Sequence, residues 1–235
     1  MGTQSTRPRR PDLAKASQPR ATKPPLASPR DEEILCAALE ILTEKGFHGA
    51  TMLDIASRAR ASKATLYARF ASKEVLFEAL MAWETRQGTE VLDAIAANAT
   101  LDAVTALEYF ATELLALMLQ PKKLALFRIA AAEGQRLSAV GRAYSAHTRD
   151  HGLKRAREIV ARLLREGAIE IDNGAEFGHS FIGLLQGELY TRALLGTIPP
   201  PSRGEIEHHA RQAVARLIRA YAPPAGPRST ASRAR

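Results

Sequence analysis

Apolar residues along this chain recur mainly every three or four positions, the spacing that places side chains on one face of an α-helix. The first such segment follows Ser28-Pro29 and Asp31 to Glu33. A capping hydroxyl, an early proline and acids in the first turn are typical of a helix N-terminus. Its apolar positions are Ile34, Leu35, Ala38, Leu39, Ile41 and Leu42. No segment shows the alternation typical of a strand, so the pattern predicts an all-α fold.

The same periodicity continues to Tyr221 and predicts about nine helices in total. The clearest breaks are Gly167, the Asp172-Asn173-Gly174 turn and the segment from Gly196 to Pro201. Beyond the first helix, the expected helices are approximately 51–59, 62–69, 73–97, 101–119, 122–134, 138–166, 175–195 and 203–221.

The net charge of +8 is concentrated at the two ends of the chain. Six of the 33 Lys and Arg residues and one of the 25 acids lie in 1–29, and three further Arg lie in 222–235. The remaining 192 residues therefore hold 24 charges of each sign. Both ends have few large apolar residues, so we expect two disordered basic tails.

Composition also excludes several classes of protein. Hydrophobic residues make up 46% of the 235, enough for a buried core. No stretch has the roughly 18 uninterrupted apolar residues of a membrane span, and no secretory signal is recognisable, so we expect a cytoplasmic protein. The single cysteine, Cys36, permits no internal disulfide and is expected to be a small core residue; no metal or cofactor is expected.

Residues 51–74 have the pattern of two short helices joined by a tight turn. Thr51 and Asp54 form a capping-box pair, and Ser62 is a good N-cap for the second helix. Small residues in the first helix allow a close crossing. Leu66 and Phe70, four residues apart, are expected to anchor the second helix.

The start of the second helix has the features of a DNA-contacting surface. Short or hydrogen-bonding side chains at Lys63, Ala64, Thr65, Tyr67 and Ala68 fall outside the packing face, and a helix N-terminus favours phosphate. Residues 51–73 carry five basic residues against one acid, the charge balance expected of a phosphate-contacting surface. The DNA-binding candidates are Thr51, Arg58, Arg60, Ser62, Lys63, Thr65, Leu66, Tyr67, Arg69 and Lys73.

Over about 45 residues the sequence resembles the TetR (tetracycline repressor) family. The matching positions are Gly46-Phe47, Thr51, Ile55-Ala56, Ala59, Ser62, Leu66-Tyr67, Phe70 and Ser72-Lys73-Glu74. The resemblance implies that Thr51, Ser62, Lys63, Thr65 and Tyr67 face DNA and that Lys73 holds a phosphate. Arg60 replaces the usual turn glycine, Ala64 the usual recognition-helix glycine and Arg69 the usual histidine. A positive φ at Arg60 would cost about 1 kcal/mol or more, and Arg60 and Arg69 could add phosphate contacts.

The resemblance also implies a division of the chain. Residues 30–73 would be a three-helix DNA-binding domain and 74–221 an effector-binding and dimerisation domain, between the tails 1–29 and 222–235. The last two helices would form a two-fold dimer interface, with an intramolecular core as the alternative. The expected interface residues are Phe177, Leu184, Leu185, Glu188, Leu189, Ala210, Ala213, Val214, Leu217 and Tyr221.

An effector pocket is expected among the helices of the larger domain. Its candidates are Trp83, Phe110, Leu114, Met118, Phe127, Tyr144, His147, Phe181 and Tyr190. Tyr144, His147 and His151 share one helical face, but no third metal ligand is clear. Histidines that are solvated or hydrogen-bonded within the protein are therefore a simpler interpretation than a metal site.

The resulting hypothesis is a homodimeric repressor that releases a palindromic operator when a small hydrophobic or amphipathic effector binds. The alternative is a helical adaptor that keeps the fold without sequence-specific DNA binding. No familiar catalytic motif is present, so an enzyme is not expected. The resemblance also implies that Arg7, Arg9 and Arg10 of the tail track DNA phosphates or enter the minor groove; the alternative is a disordered tail with at most nonspecific affinity.

Overall fold

The computed structural model describes residues 28–146 and 156–224, and in this part of the chain every regular element is an α-helix. The eleven helices are α1 (Pro29–Gly49), α2 (Met52–Arg58), α3 (Lys63–Arg69), α4 (Lys73–Arg86), α5 (Glu90–Ala97), α6 (Ala103–Met118), α7 (Pro121–Glu133), α8 (Ser138–Tyr144), α9 (Arg157–Arg165), α10 (Gly174–Leu195) and α11 (Arg203–Ala220). The predicted all-α class is confirmed, with a slightly higher helix count.

The predicted helix 73–97 is the clearest error in the helix assignment. It is two helices, α4 and α5, because the backbone turns at Gly88, where φ is +72°. Glycine adopts that left-handed conformation without steric cost. The predicted helix 138–166 contains α8 and α9, and the residues between 146 and 156 lie outside the described part of the chain.

Side-chain caps fix where several helices begin. Ser28, Thr51 and Ser202 each form a complete capping box with the acid three residues later. Ser62, Ser72 and Asp102 accept hydrogen bonds from backbone N–H groups at the starts of α3, α4 and α6. Each cap satisfies a donor that the helix leaves unpaired and contributes about 1 kcal/mol.

Buried side chains form two cores. The first contains α1 to α4 together with α7 and α8, and includes Ile34, Leu66, Phe77 and Leu126. The second is built from α5, α6, α9, α10 and α11, together with Leu124 of α7. Because α4 packs in the first core, packing is continuous across residue 73, and the domain boundary there stays a prediction.

Six of the ten residues predicted for the dimer interface are wrong, because their side chains are buried inside their own chain; the interface itself stays a prediction. Helix α11 packs its apolar face against α6 and α10. The residues that are buried in this way are Phe177, Leu185, Ala210, Ala213, Val214 and Leu217. Leu184, Leu189 and Tyr221 are half-buried against the same core, and Glu188 is exposed. For these buried residues the alternative of an intramolecular core is correct.

Two smaller observations complete the fold. Cys36, predicted to be a core residue, is exposed on α1. Within the described ranges, no single helix is long and apolar enough to span a membrane; α6 and α7 reach that length only together, with a 70° bend between them.

Candidate nucleic-acid interface and internal cavity

Helix α3 lies on the first core through two residues. Leu66 is fully buried and Phe70 is 7% exposed, as the four-residue spacing predicted. Lys63, Ala64, Tyr67 and Ala68 are exposed, and Thr65 is half-buried. The inclusion of Leu66 among the DNA-binding residues was therefore wrong, because its side chain has no surface left to offer a partner.

The turn between α2 and α3 has the strained conformation that the sequence suggested. Arg60 has φ +49°, and among the described residues it is the one non-glycine with a positive φ. Its carbonyl oxygen accepts a hydrogen bond of 2.8 Å from the Arg30 guanidinium on α1. This bond from a different helix stabilises a turn in which a side chain costs about 1 kcal/mol or more.

Arg58 and Arg69 are paired within the chain. The Arg58 guanidinium donates to Glu40 at 2.7 Å and to both carboxylate oxygens of Glu44 at 3.0 Å. Arg69 donates to Ser28 and to the carboxylate of Asp31 on α1. Both side chains therefore tie the helix-turn-helix to α1, and a contact to phosphate would compete with these acids.

Lys73 also has partners within the chain. Its ammonium donates to the carbonyl oxygens of Phe47 and Ala50 and lies 4.6 Å from the centroid of the Phe47 ring. These carbonyls lie at the end of α1, where a cation is favoured by the helix dipole. The expected phosphate contact of Lys73 is thus replaced in this structure by a capping role.

Five of the six remaining predicted residues form a largely exposed surface at the N-terminus of α3, which we call the α3 surface: Arg60, Ser62, Lys63, Thr65 and Tyr67. Within the described chain, no acidic side chain pairs with Arg60 or Lys63. The Lys63 ammonium lies 5.8 Å from the centroid of the Tyr67 ring, and the Ser62 and Thr65 hydroxyls are 2.8 Å apart. Thr51 lies at the start of α2, where its hydroxyl donates to Asp54 at 2.7 Å.

A cavity of about 490 Å³ lies between the two cores. Its size falls in the range of small-molecule sites. Side chains from α4, α6, α7 and α10 supply most of its wall, and the segment between α4 and α5 closes part of it. Its lining residues are Met81, Thr85, Gln87, Thr89, Leu92, Leu114, Leu117, Met118, Lys123, Leu126, Phe127, Tyr144, Ser145, His179, Ile182, Gly183, Gln186, Tyr190, Thr191 and Leu194.

The structure brings together five of the nine predicted pocket residues: Leu114, Met118, Phe127, Tyr144 and Tyr190. Phe110 and Phe181 are core residues that pack on each other, with ring centroids 6.4 Å apart. Trp83 packs against the first core, where its indole N–H is buried without a hydrogen-bond partner. His147, like His151, lies outside the described residues.

Sequence reasoning missed the polar residues of the cavity wall, above all Lys123. This lysine on α7 pairs with Glu84 of α4, whose side chain is fully buried. A signal for Glu84 was present, because it follows Leu80 and Met81 on the apolar face of α4 and so falls at a position where a charge requires a partner. Nothing in the local sequence pointed to Lys123.

Comparisons with known proteins agree with this geometry. The profile described as "Bacterial regulatory proteins, tetR family" matches residues 34–80. The profile described as "AefR-like transcriptional repressor, C-terminal domain" matches residues 105–223, about half of the chain. The chain belongs to the TetR family.

Individual relatives extend the comparison. A putative TetR-family regulator from Mesorhizobium loti is 26% identical and has a TM-score of 0.72, with 83% of this chain and 97% of that chain covered. A structure titled "Flavonoid-responsive Regulator FrrA" is 28% identical with a TM-score of 0.68, covering 85% and 100% of the two chains. The transcriptional activator FasR of Mycolicibacterium smegmatis is 39% identical over 80 residues, which is 30% of this chain and 36% of FasR. The chain thus spans about a third of the length of such curated relatives.

Proposed function

We propose that this TetR-family protein is a transcriptional regulator that binds duplex DNA through the α3 surface and is controlled by a small molecule in the cavity. The observation that carries the DNA-binding part is the contrast among basic residues around α3. Arg58, Arg69 and Lys73 have partners within the chain, whereas Arg60 and Lys63 extend from the N-terminus of α3 without an acidic partner in the described chain. Cations beside exposed hydroxyls and a helix N-terminus are the groups that contact phosphates and base edges.

Helix α4 connects the cavity to the α3 surface. Leu76 and Phe77, near its start, are fully buried in the same core as Leu66 of α3. Met81 and Thr85, later on the same helix, line the cavity. A ligand that prefers one position of α4 would therefore shift the orientation of α3 and change the affinity for DNA.

We propose repression as the mode of action and a homodimer as the binding unit. Repression is supported by the description of the profile that matches residues 105–223, although one relative is named an activator. A two-fold dimer would match a palindromic operator. Since the apolar face of α11 is buried, the dimer would use the opposite, exposed face of that helix, which includes Gly204, His208, Gln212, Ala215 and Arg219. Such a regulator would act in the cytoplasm, on chromosomal DNA.

The effector is expected to be amphipathic. Leucine, isoleucine, methionine and aromatic side chains make up just over half of the cavity lining, and hydroxyl, amide, imidazole and amine groups of eight polar residues lie between them. A structurally similar protein is named a flavonoid-responsive regulator, which supports a small-molecule effector for this cavity.

Selection of random duplex DNA by the purified full chain at near-physiological salt tests the proposal. We expect enrichment of a palindrome with half-sites about one to two helical turns apart. The matched control is the double variant Lys63→Ala/Tyr67→Ala, which removes exposed side chains only and is expected to enrich nothing. Failure of the native chain to enrich any sequence, with and without extracts of small molecules, would contradict the proposal and favour a protein-binding adaptor.

A further inference from the structure

We propose that the effector of this cavity is an amphipathic acid, whose negatively charged oxygen pairs with Lys123 and releases that lysine from Glu84 on α4. This inference rests on the proposed function, because it specifies the ligand and the coupling of the same cavity. It is carried by the arrangement of one buried carboxylate and two ammonium groups between α4 and α7.

Two lysine ammonium groups surround the single carboxylate of Glu84, so positive charge is in excess there. Its side chain has no exposed surface, and the Lys122 and Lys123 ammonium groups lie 3.1 and 2.8 Å from its two carboxylate oxygens. The Lys122 side chain is 40% exposed and reaches the carboxylate from the solvent side. Lys123 is 13% exposed and lines the cavity. The three groups therefore carry a net charge of +1, and the less exposed of the two cations borders the cavity.

The pair between Lys123 and Glu84 leaves room for a better partner. The Glu84 oxygen that faces Lys123, Oε2, has no well-aligned hydrogen bond, although the Lys123 nitrogen is within ion-pairing distance. Lys123 also donates to the backbone carbonyl of Glu84. Burial lowers the pKa of Lys123, an effect that the nearby Glu84 carboxylate partly offsets. An anion in the cavity would stabilise the charged ammonium, and Glu84 would keep Lys122 as its partner.

The other residues of the cavity wall also favour a negatively charged ligand. The described residues of the wall include no Asp or Glu, and besides Lys123 their one other basic side chain is His179. An organic cation would lie beside a group of three charges that is already net positive, which is unfavourable at low dielectric. A neutral molecule would gain the apolar contacts but would leave the interaction with Lys123 unused.

The same contact explains how binding reaches α4. Lys123 holds the last turn of α4 through both the side chain and the carbonyl of Glu84, and the helix ends two residues later at Arg86. An acidic ligand that pairs with the Lys123 ammonium would break both contacts, the one with the Glu84 carboxylate and the one with the Glu84 carbonyl. The end of α4 then gains freedom to move, while the helix stays packed against α1, in the core that also buries Leu66 of α3.

A matched pair of fluorescent probes tests the charge preference. Anilinonaphthalene sulfonate and N-phenylnaphthylamine share the same aromatic frame, but only the first is an anion. We expect Lys123→Gln to weaken the sulfonate by about tenfold or more and to leave the neutral amine nearly unchanged, because a charge-assisted pair is lost in one case only. Lys122→Gln removes the same charge on the outer side of Glu84 and should change sulfonate binding by at most about fivefold.

A variant with the opposite expected effect separates a loss of charge recognition from damage to the fold. Glu84→Gln frees Lys123 from its internal competitor and is expected to tighten sulfonate binding, whereas a structural defect would weaken both probes. Met118→Trp locates the probes: Met118 is half-buried and lines the cavity, so a larger side chain there should fill part of the cavity and weaken both probes.

Equal losses of both probes in Lys123→Gln, or weaker sulfonate binding in Glu84→Gln, would overturn the proposal, as would sulfonate binding that is unchanged in Met118→Trp. The probe titrations need no DNA. A protein that shows the expected charge preference but selects no duplex would refute the proposed function alone, and the reverse pattern would refute this inference alone.

Discussion

The α3 surface and the cavity are built in different ways. Helix α3 is seven residues long, and its cap, its buried anchor and its exposed side chains all come from one short stretch of sequence. The cavity wall is assembled mainly from α4, α6, α7 and α10, which are far apart in the chain. A local pattern therefore predicts the first site residue by residue, whereas the second depends on how helices cross, which periodicity does not report.

The largest effect is expected where the α3 surface depends on the core beneath it. Leu66→Ala should lower the free energy of unfolding by about 2–5 kcal/mol, because it leaves a cavity under α3. Urea denaturation measures this, with Leu53→Ala as the control, since Leu53 is 58% exposed. Similar small losses in both variants would mean that Leu66 is not the anchor of α3.

A smaller effect is expected at the surface itself. Tyr67→Phe should weaken binding of a selected duplex by about 1 kcal/mol, the contribution of one hydroxyl contact, without lowering thermal stability. Tyr109→Phe, on a half-buried residue of α6, is the matched control and should bind like the native chain. An unchanged affinity in Tyr67→Phe would remove the Tyr67 hydroxyl from the interface.

These two predictions show what sequence could and could not provide. The capping boxes, the burial of Leu66 and Phe70 and the strained Arg60 turn follow from residue types at fixed spacing. The partners of the basic residues did not follow, because Asp31 and Glu44 lie on α1, far from Arg69 and Arg58 in sequence. An excess of basic residues in a motif therefore overstated the charge available to DNA.

The prediction of the cavity-lining residues was partly wrong for a related reason. Phe110 and Phe181 lie on apolar faces, as expected, but those faces meet each other inside the second core. The apolar residues of α11 likewise meet α6 and α10 instead of a second subunit. Periodicity identifies the face of a helix that avoids water, and it does not say whether a core, a cavity or a partner covers that face.

The hydrogen bonds of Arg69 with Ser28 and Asp31, which we call the α1–α3 clamp, should contribute modestly to the free energy of unfolding. Arg69→Ala removes the bonds to Ser28 and Asp31, and we expect it to lower the free energy of unfolding by about 1 kcal/mol or less because the pair is partly exposed. The loss should shrink at high salt. Arg60→Ala, an exposed position with no acidic partner in the described chain, is the control for removing an arginine; equal, salt-independent losses would contradict the clamp.

The smallest effect is expected from pH at the start of α2. A hydrogen bond from Lys45, together with bonds from Thr51, lowers the pKa of Asp54 from 3.8 to about 2. Since the folded pKa is the lower one, the stabilisation is present above pH 3.8 and is lost as the pH falls towards 2. The stability difference between the native chain and Asp54→Asn should narrow over this range in acid titrations monitored by circular dichroism. A difference that does not depend on pH would contradict this assignment.

The central claim is that Lys63 is available to DNA and Arg58 is not. Its most direct test is the salt dependence of affinity for a selected duplex, compared among the native chain, Lys63→Ala and Arg58→Ala. We expect the slope of log affinity against log salt to fall by about one per subunit in Lys63→Ala, because one phosphate contact is lost, and to stay unchanged in Arg58→Ala. A reduced slope in Arg58→Ala with a native slope in Lys63→Ala would contradict the account.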